Sequence, residues 1–282
     1  PIARYRTVYL NGSGGCGKTT RVIELFRNTG MIVLTPTHRL AREMRERGVE
    51  SSTYHGFFKY NGSEWTPERM GKKKIPPIII WDEIDIVAKD ILKPFLDWLL
   101  TKNTSIIMCG DHGQPPPFTG ESPHSWLKKF VDYYEEIDTD FRSLDDKLKE
   151  FKKLIRLQPD KIQCEIMREI IPETPMDEFW ETWKPGDLIV ASRKIVRDEL
   201  QKKLFDLHKK KYTNEPVPLC YRPLDTRRQN IEVKIPGKLE EFQVLVLNDI
   251  VMVDINVVEE ALNMKNSPWT LGYASTIHSS QG

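Results

Sequence analysis

Short apolar runs, each about as long as one β-strand, alternate with segments of helical periodicity through the first half of the chain. The runs occupy residues 8–10, 31–35, 76–81 and 106–109. Helical spacing of apolar residues follows at 22–26 and from residue 39 onward, and residues 122–134 read as a helix before a closing stretch at 133–139. Strands and helices that alternate in this way predict a parallel sheet covered by helices.

The same alternation resumes near residue 140. Helical spacing recurs at 144–155, 161–171 and 194–207, and residues 187–191 are typical of a strand. Prolines, polar turns and short β-like runs then fill residues 212–270, which predicts an all-β insertion. We therefore predict an α/β protein with two parallel-sheet domains, residues 1–139 and 140–282, and a small polar insertion at about 59–75.

Composition narrows the class of protein. A chain of 282 residues with 39% hydrophobic residues has room for two globular domains. No run reaches the roughly 18 apolar residues of a membrane span, and the first residues lack a secretory signal. The 4 cysteines include no C-x-x-C pair, which argues against a zinc site and a disulfide framework. We expect an intracellular protein of the nucleus or cytoplasm, without a membrane partner. Its net charge of +1 does not exclude nucleic acid as a ligand.

The first strand runs into a glycine-rich loop and then a helix. Gly12, Gly17, Lys18 and Thr19 fit the pattern G-x-x-x-x-G-K-[ST], in which backbone N–H groups cradle phosphates, the lysine reaches the outer phosphates and the hydroxyl binds Mg²⁺. We expect this loop to bind ATP and Mg²⁺. The nucleotide-binding residues predicted from it are Gly12, Gly14, Gly15, Cys16, Gly17, Lys18, Thr19 and Thr20.

Polar side chains follow two of the later strands. Asp82 and Glu83 come directly after the run 76–81, where one carboxylate can hold the metal together with Thr19 and the other can orient the attacking water. Gln114 stands before two prolines after the next strand, where its amide can sense a phosphate. Arg142, ahead of the 144–155 helix, is either an arginine finger or a surface charge.

These segments, in this order, resemble the motifs of superfamily 1 helicases of the RecD-like and Pif-type branch. The matching stretches are GSGGCGKT, TPTHRLAREM, STYHGFF, IIIWDEID, CGDHGQPPPF, DFRS and YASTIHSSQG. The resemblance implies two RecA-like domains with ATP between them, a strand-separating insertion at about 59–75 and an SH3-like insertion at about 212–270. It also implies a DNA helicase, acting as a monomer, that moves 5′ to 3′ along single-stranded DNA.

The resemblance further implies roles for individual residues. Lys18, Glu83, Gln114 and Arg142 are the catalytic residues, with Thr19 and Asp82 on the metal. The residues that would contact the strand are Pro36, Thr37, His38, Thr53, His55, Thr276, His278 and Ser280. The family's next motif, with a second arginine finger, would follow Gly282, so we expect the natural chain to continue beyond that residue.

Three other functions remain open. A P-loop kinase shares the phosphate loop but has no use for TIHSSQG, a nucleotide-gated module would hold a strand without turnover, and a viral-type RNA helicase would prefer RNA. Trp65, in the polar insertion, is either a base-stacking residue or part of a satellite apolar cluster.

Overall fold

The computed structural model of the chain describes residues 2–117, 119–143, 145–157, 173–187, 189–223, 231–238, 241–245 and 247–276. The chain divides into two compact units, Pro1–Glu173 and Thr174–Gly282. The predicted helix at 161–171 lies outside the described residues.

A six-stranded parallel sheet forms the centre of the first unit. Its strands are β1 (Thr7–Gly12), β2 (Met31–Thr35), β3 (Ser51–Thr53), β4 (Ile78–Trp81), β5 (Ser105–Gly110) and β6 (Tyr133–Ile137), in the order β3-β2-β4-β5-β1-β6. All neighbouring pairs are parallel, with Val8 opposite both Ile107 and Tyr133. Because the strands run the same way, all their carboxyl ends lie at one edge of the sheet.

Helices cover the sheet on both faces. They are α1 (Lys18–Phe26), α2 (His38–Glu46), α3 (Tyr54–Phe58), α4 (Lys89–Leu100) and α5 (His124–Phe130). The unit also contains α6 (Asp146–Leu157) and short 3₁₀ helices at Ile2–Arg4, Pro67–Met70 and Ile84–Ile86. Successive strand residues point to opposite faces, so Tyr9 belongs to one apolar cluster while Val8 and Leu10 belong to the other. Burial on both faces explains why these strands are continuous apolar runs in the sequence.

Residues 122–134 are only partly helical. Helix α5 ends at Phe130, and Tyr133 already belongs to the edge strand β6. The predicted helix is therefore too long at its C-terminal end, where it includes the first residues of a strand. The strand gives no continuous apolar run in the sequence, because the tyrosines of β6 lie on a partly exposed edge.

Trp65 contributes to the core of the first unit. It is 9% exposed, its indole N–H donates to the Phe58 carbonyl at 2.7 Å, and its ring packs edge-on against Phe95. Base stacking by Trp65 is therefore the wrong interpretation, since its ring is covered by protein. The segment 59–75, predicted as a small polar insertion, also buries Met70.

The division between the units falls later than predicted. Segment 140–157 lies in the first unit, where the Phe141 N–H donates to the Gly15 carbonyl at 3.2 Å and Lys152 donates to Asp140 at 2.9 Å. The sequence predicts a domain boundary at residue 140, whereas the two units divide after Glu173. The difference arises because segment 140–157 is hydrogen-bonded to the glycine-rich loop.

The second unit combines a parallel pair of strands with antiparallel strands. Its elements are α7 (Met176–Thr182), β7 (Ile189–Ala191), α8 (Lys194–Lys211), β8 (Val217–Tyr221), β9 (Ile231–Lys234), β10 (Phe242–Leu245), β11 (Ile250–Val253), α9 (Val258–Asn263), β12 (Trp269–Leu271) and β13 (Ala274–Thr276). β7 and β13 are parallel, β8 pairs antiparallel with β11 and β12, and β9 pairs antiparallel with β10. The all-β interpretation of 212–270 is corrected, because this segment also contains α9 and a 3₁₀ helix at Ile255–Val257.

Among the residues that the structure describes, no helix is both long enough and apolar enough to cross a membrane.

Candidate functional site

The glycine-rich loop joins β1 to α1 and has a backbone that other residues would strain. Gly15 and Gly17 have φ angles of 92° and 76°, and a Cβ atom on Gly12 would lie 2.4 Å from the Ile137 carbonyl oxygen. These positions need glycine because L side chains disfavour positive φ or find no space there. The loop ends where α1 begins at Lys18, so the N-terminal N–H groups of that helix border it.

Lys18 folds back over the loop. Its Nζ donates to the carbonyl oxygens of Gly12 at 2.7 Å and Ser13 at 3.1 Å, and lies 3.5 Å from Cys16 Sγ. The positive charge is thus held within the ring of loop backbone groups. An anion at the helix N-terminus would meet both this charge and the loop N–H groups.

Thr19 and Asp82 meet across the loop. The Thr19 hydroxyl donates to Asp82 Oδ1 at 2.7 Å, and the Glu83 N–H donates to the same oxygen at 3.1 Å. Burial raises the pKa of Asp82, while the Thr19 hydrogen bond and the Lys18 charge oppose that increase. The site therefore offers a hydroxyl and one carboxylate, which are oxygen ligands of the kind that Mg²⁺ prefers.

The donor set fits Mg²⁺ that is bound together with phosphate. Among the described residues, no group of three or more histidines, cysteines and acids is placed to hold a metal ion by itself. Mg²⁺ commonly takes one or two protein oxygens and completes its octahedron with water and phosphate oxygens. Thr19 and Asp82 match that arrangement.

Glu83 is held in an unusual conformation by its neighbours. Its φ and ψ angles are 53° and 44°, a left-handed backbone that non-glycine residues seldom adopt. Gln114 Nε2 donates to Glu83 Oε2 at 2.8 Å. Burial raises the pKa of Glu83 to about 7, and the adjacent Asp82 carboxylate contributes to the increase. A carboxylate with a pKa near neutrality is suited to accept a proton from water.

The loop after β5 contains a residue that we did not single out in the sequence. Asp111 is 8% exposed, and its Oδ2 accepts the Gly14 N–H at 3.0 Å. Nothing in the spacing of CGDHGQPPPF separates this aspartate from an ordinary turn residue, so only the structure reveals the contact.

Arg142 lies beside the glycine-rich loop. A Cβ atom on Gly15 would lie 2.5 Å from Arg142 Cβ and 3.3 Å from its Nε, so glycine is required where the two segments touch. The Arg142 N–H donates to Asp140 Oδ1 at 2.9 Å. The second domain predicted from the sequence, residues 140–282, includes Arg142. In the structure, Arg142 belongs to the first unit, as does Gly15.

Comparison with known proteins identifies similar folds. Residues 2–120 match the AAA_19 family, described as an AAA domain. No curated protein is significantly similar to the chain in sequence. Among solved structures, the Pif1 helicase from Candida albicans superposes with a TM-score of 0.60 at 13% identity, covering 100% of this chain and 83% of that one.

Two structures of Bacteroides Pif1 are also similar. The form bound to single-stranded DNA has a TM-score of 0.59 at 17% identity, covering 98% of this chain and 80% of that one. The complex with ADP-AlF4 has a TM-score of 0.54 at 17% identity, with the same coverage. The fold is that of the Pif1 helicases. The predicted α/β fold class is thereby confirmed, and the predicted resemblance is confirmed at the level of the fold.

A second group of predicted residues lies at the same edge of this Pif1-like sheet, after β2 and β3. Pro36, Thr37 and His38 are partly exposed, and the Thr37 hydroxyl accepts the Leu40 N–H at 3.3 Å as the N-cap of α2. Burial lowers the pKa of His38, and the nearby Arg45 charge contributes. Thr37 therefore has a structural role in addition to its predicted role in strand binding.

Thr53 and His55 follow β3 in the same manner. The Thr53 hydroxyl accepts the Gly56 N–H at 3.1 Å and caps α3, and its side chain is 4% exposed. His55 is exposed, with its ring centroid 4.2 Å from that of Tyr54 and 5.3 Å from that of Tyr60. His55 thus presents more surface to a ligand than Thr53 does.

The remaining predicted residues belong to the second unit. Thr276 is partly exposed at the end of β13. His278 and Ser280 lie outside the described residues, and their proposed contacts with a strand stay predictions.

Proposed function

We propose that the chain is an ATP-hydrolysing helicase that moves 5′ to 3′ along single-stranded DNA and couples hydrolysis of Mg-ATP to duplex unwinding. The observation that carries this proposal is the continuous set of contacts around the loop. Lys18 lies within the loop, Thr19 donates to Asp82, and Gln114 donates to Glu83. These residues provide separate groups to bind the phosphates, to hold the metal ion and to activate the attacking water.

Each group has one chemical task. Lys18 and the loop N–H groups balance the charge of the outer phosphates, and Thr19 and Asp82 hold Mg²⁺, which when bound neutralises charge on the phosphate oxygens. Glu83 accepts a proton from the attacking water. Gln114 orients Glu83 in the geometry described above, and its amide can turn to the terminal phosphate when one is present.

The positions after β2 and β3 support a strand-binding surface. The sheet order puts β3 and β2 on one side of β4, whereas β5 and β1 lie on the other, so the two groups of residues occupy different parts of one edge. A single strand can therefore contact Thr37, His38 and His55 without occupying the nucleotide site. The likeness of the fold to that of Bacteroides Pif1, which was solved with single-stranded DNA bound, supports single-stranded DNA as the ligand.

The decisive experiment measures ATP hydrolysis with and without single-stranded DNA, together with strand displacement from forked duplexes that carry a 5′ or a 3′ single-stranded arm. We expect DNA to stimulate hydrolysis and unwinding to require the 5′ arm. The Lys18→Ala variant, which removes the charge from the loop, is the control for contaminating ATPases. Hydrolysis that DNA does not stimulate would contradict the proposal.

The same assay separates the alternatives. Stronger stimulation by RNA of the same sequence would indicate an RNA helicase, since only RNA offers 2′-hydroxyl groups. Nucleotide-dependent strand binding without turnover would indicate a gated binding module. We also propose that the protein acts as a monomer, and that it acts in the nucleus or cytoplasm.

A further inference from the structure

Asp111 joins the two loops that border the nucleotide site. Its Oδ2 accepts the Gly14 N–H at 3.0 Å, and its Oδ1 accepts the Gly113 N–H at 3.0 Å. The Asp111 carbonyl oxygen also accepts the Gln114 N–H at 3.0 Å. A single residue at the end of β5 therefore contacts the glycine-rich loop and fixes the turn that carries Gln114.

A second contact connects the loop after β5 to strand β1. Asn11, fully buried on β1, accepts the His112 N–H through its Oδ1 at 3.2 Å, and its Nδ2 lies 2.6 Å from His112 Nδ1. β1 and β5 are neighbours, with Asn11 opposite Gly110. The loop after β5 is thus bonded through two consecutive residues, by Asp111 to the glycine-rich loop and by His112 to strand β1.

We propose that Asp111 is a positioning residue that couples the glycine-rich loop to Gln114 and Glu83. The path runs from Gly14 to the Asp111 carboxylate, through the turn to Gln114, and from its amide to Glu83 at 2.8 Å. The carboxylate is 8% exposed, so its hydrogen bonds are shielded from water and are the stronger type that a charged acceptor makes. A shift of the loop on binding nucleoside di- or triphosphate is transmitted to the water-orienting pair.

This inference rests on the proposed ATP hydrolysis, but part of its test does not require turnover. In Asp111→Asn the amide retains only one acceptor oxygen, so one of the two side-chain hydrogen bonds is lost while size is preserved. We expect the affinity for a fluorescent ADP analogue with Mg²⁺ to fall about 3- to 10-fold. We expect kcat to fall about 10-fold or more, because Gln114 and Glu83 lose their alignment.

Asp132→Asn is the control for the same chemical change at an exposed aspartate. Asp132 also accepts a backbone N–H, that of Thr7 at 2.9 Å, and it precedes β6. We expect this variant to keep both the ADP affinity and kcat. An equal loss in Asp132→Asn would attribute the effect to general destabilisation, and would overturn the proposal.

A double-mutant cycle tests the coupling itself. If Asp111 acts on turnover through Gln114, then Asp111→Asn should reduce kcat no more than about twofold further in a Gln114→Ala background. Its effect on ADP affinity should persist in that background. Fully additive losses in kcat, or unchanged ADP affinity, would overturn the proposal.

Amide exchange of the unchanged protein provides a test that needs no variant. We expect the Gly14 N–H, measured by NMR, to exchange at least about 10-fold slower than its intrinsic rate, because a buried carboxylate accepts it. Exchange at the intrinsic rate would overturn the proposal. Absence of ATP hydrolysis in the wild type would instead contradict the proposed function and leave the ADP and exchange results to decide the coupling.

Discussion

Gln114 Nε2 donates to Glu83 Oε2 at 2.8 Å, which ties the end of β5 to the end of β4 at the edge of the sheet. The contact fixes one oxygen of the proposed base while its other oxygen remains available. Asp82 instead accepts hydrogen bonds from the Thr19 hydroxyl and the Glu83 N–H, so the two carboxylates have different partners. The two adjacent carboxylates can therefore act differently although they are neighbours in sequence.

Replacing Glu83 by glutamine should abolish turnover without abolishing nucleotide binding. The amide cannot accept a proton from water, and loss of such a group commonly lowers kcat by about 10²-fold or more. Single-turnover hydrolysis and equilibrium binding of an ATP analogue distinguish the two effects. Lys18→Ala should instead weaken nucleotide binding itself, because the charge that faces the phosphates is removed. Hydrolysis at the wild-type rate by Glu83→Gln would remove Glu83 from the mechanism.

The kcat/KM of ATP hydrolysis should decrease below about pH 7. Because burial raises the pKa of Glu83 to about 7, half of the free enzyme has a protonated base near that pH. We expect kcat/KM to decrease about tenfold per pH unit below this value, since kcat/KM reports groups of the free enzyme. A profile that stays flat down to pH 5 would contradict the assignment of Glu83 as the base.

The same shift predicts a pH-dependent stability difference. Glu83 has a pKa of about 7 in the folded protein against an ordinary value of 4.5, so its protonated form favours folding and its ionised form opposes it. The contribution of Glu83 to the free energy of unfolding is fully present below about pH 4.5 and is lost as the pH rises to about 7.

Glu83→Gln, which stays neutral, should therefore gain free energy of unfolding relative to wild type between pH 4.5 and 8. We expect a gain of about 1–3 kcal/mol at pH 8, measured by urea unfolding without nucleotide. A difference that does not change with pH would mean that Glu83 ionises normally in the folded protein.

Much of the nucleotide site could be predicted because the sequence carries local signals for it. The loop pattern depends on glycines that tolerate positive φ, and the strand predicted at 31–35 coincides with β2 because a strand buried on both faces is a continuous apolar run. Asp82 lies beside the loop, where Thr19 donates to it, because the carboxyl ends of parallel strands share one edge, and the catalytic roles of Asp82 and Glu83 stay predictions.

Other features depend on tertiary contacts that leave no periodic signal. Asp111 contacts Gly14, 97 residues away, and a single aspartate in a turn gives no indication of that partner. Trp65 lies in a polar stretch, but the apolar surface that covers it comes largely from distant parts of the chain such as Phe95 and Trp98. The unit to which Arg142 belongs is likewise decided by contacts with Gly15 rather than by composition.

Thr37 should affect DNA binding separately from its effect on helix α2. Its hydroxyl caps the helix through Leu40, so Thr37→Ala is expected to lower the free energy of unfolding by about 1 kcal/mol as well as weaken strand binding. Asparagine caps as well as threonine but has no hydroxyl, whereas serine retains both properties.

We therefore expect Thr37→Asn to keep wild-type stability and lose about 5- to 10-fold in affinity for single-stranded DNA, measured by fluorescence anisotropy. Thr37→Ser should keep both. Wild-type affinity in Thr37→Ala, whose side chain has no polar atom, would exclude the hydroxyl from the strand-binding surface.

Arg142 should contribute more to turnover than to nucleotide affinity. It lies against Gly15 in the glycine-rich loop. As an arginine finger it would contact the terminal phosphate, and such arginines commonly contribute on the order of 10³-fold to phosphoryl transfer. Arg142→Ala is expected to lower kcat by about that factor while ADP affinity changes less than about threefold, because ADP lacks the phosphate that the charge would stabilise. Arg142→Lys keeps a charge but not the planar fork and should recover only part of kcat. If the alanine variant instead loses ADP affinity and kcat by equal factors, Arg142 acts by packing on the Gly15 segment of the loop rather than by stabilising charge in the transition state.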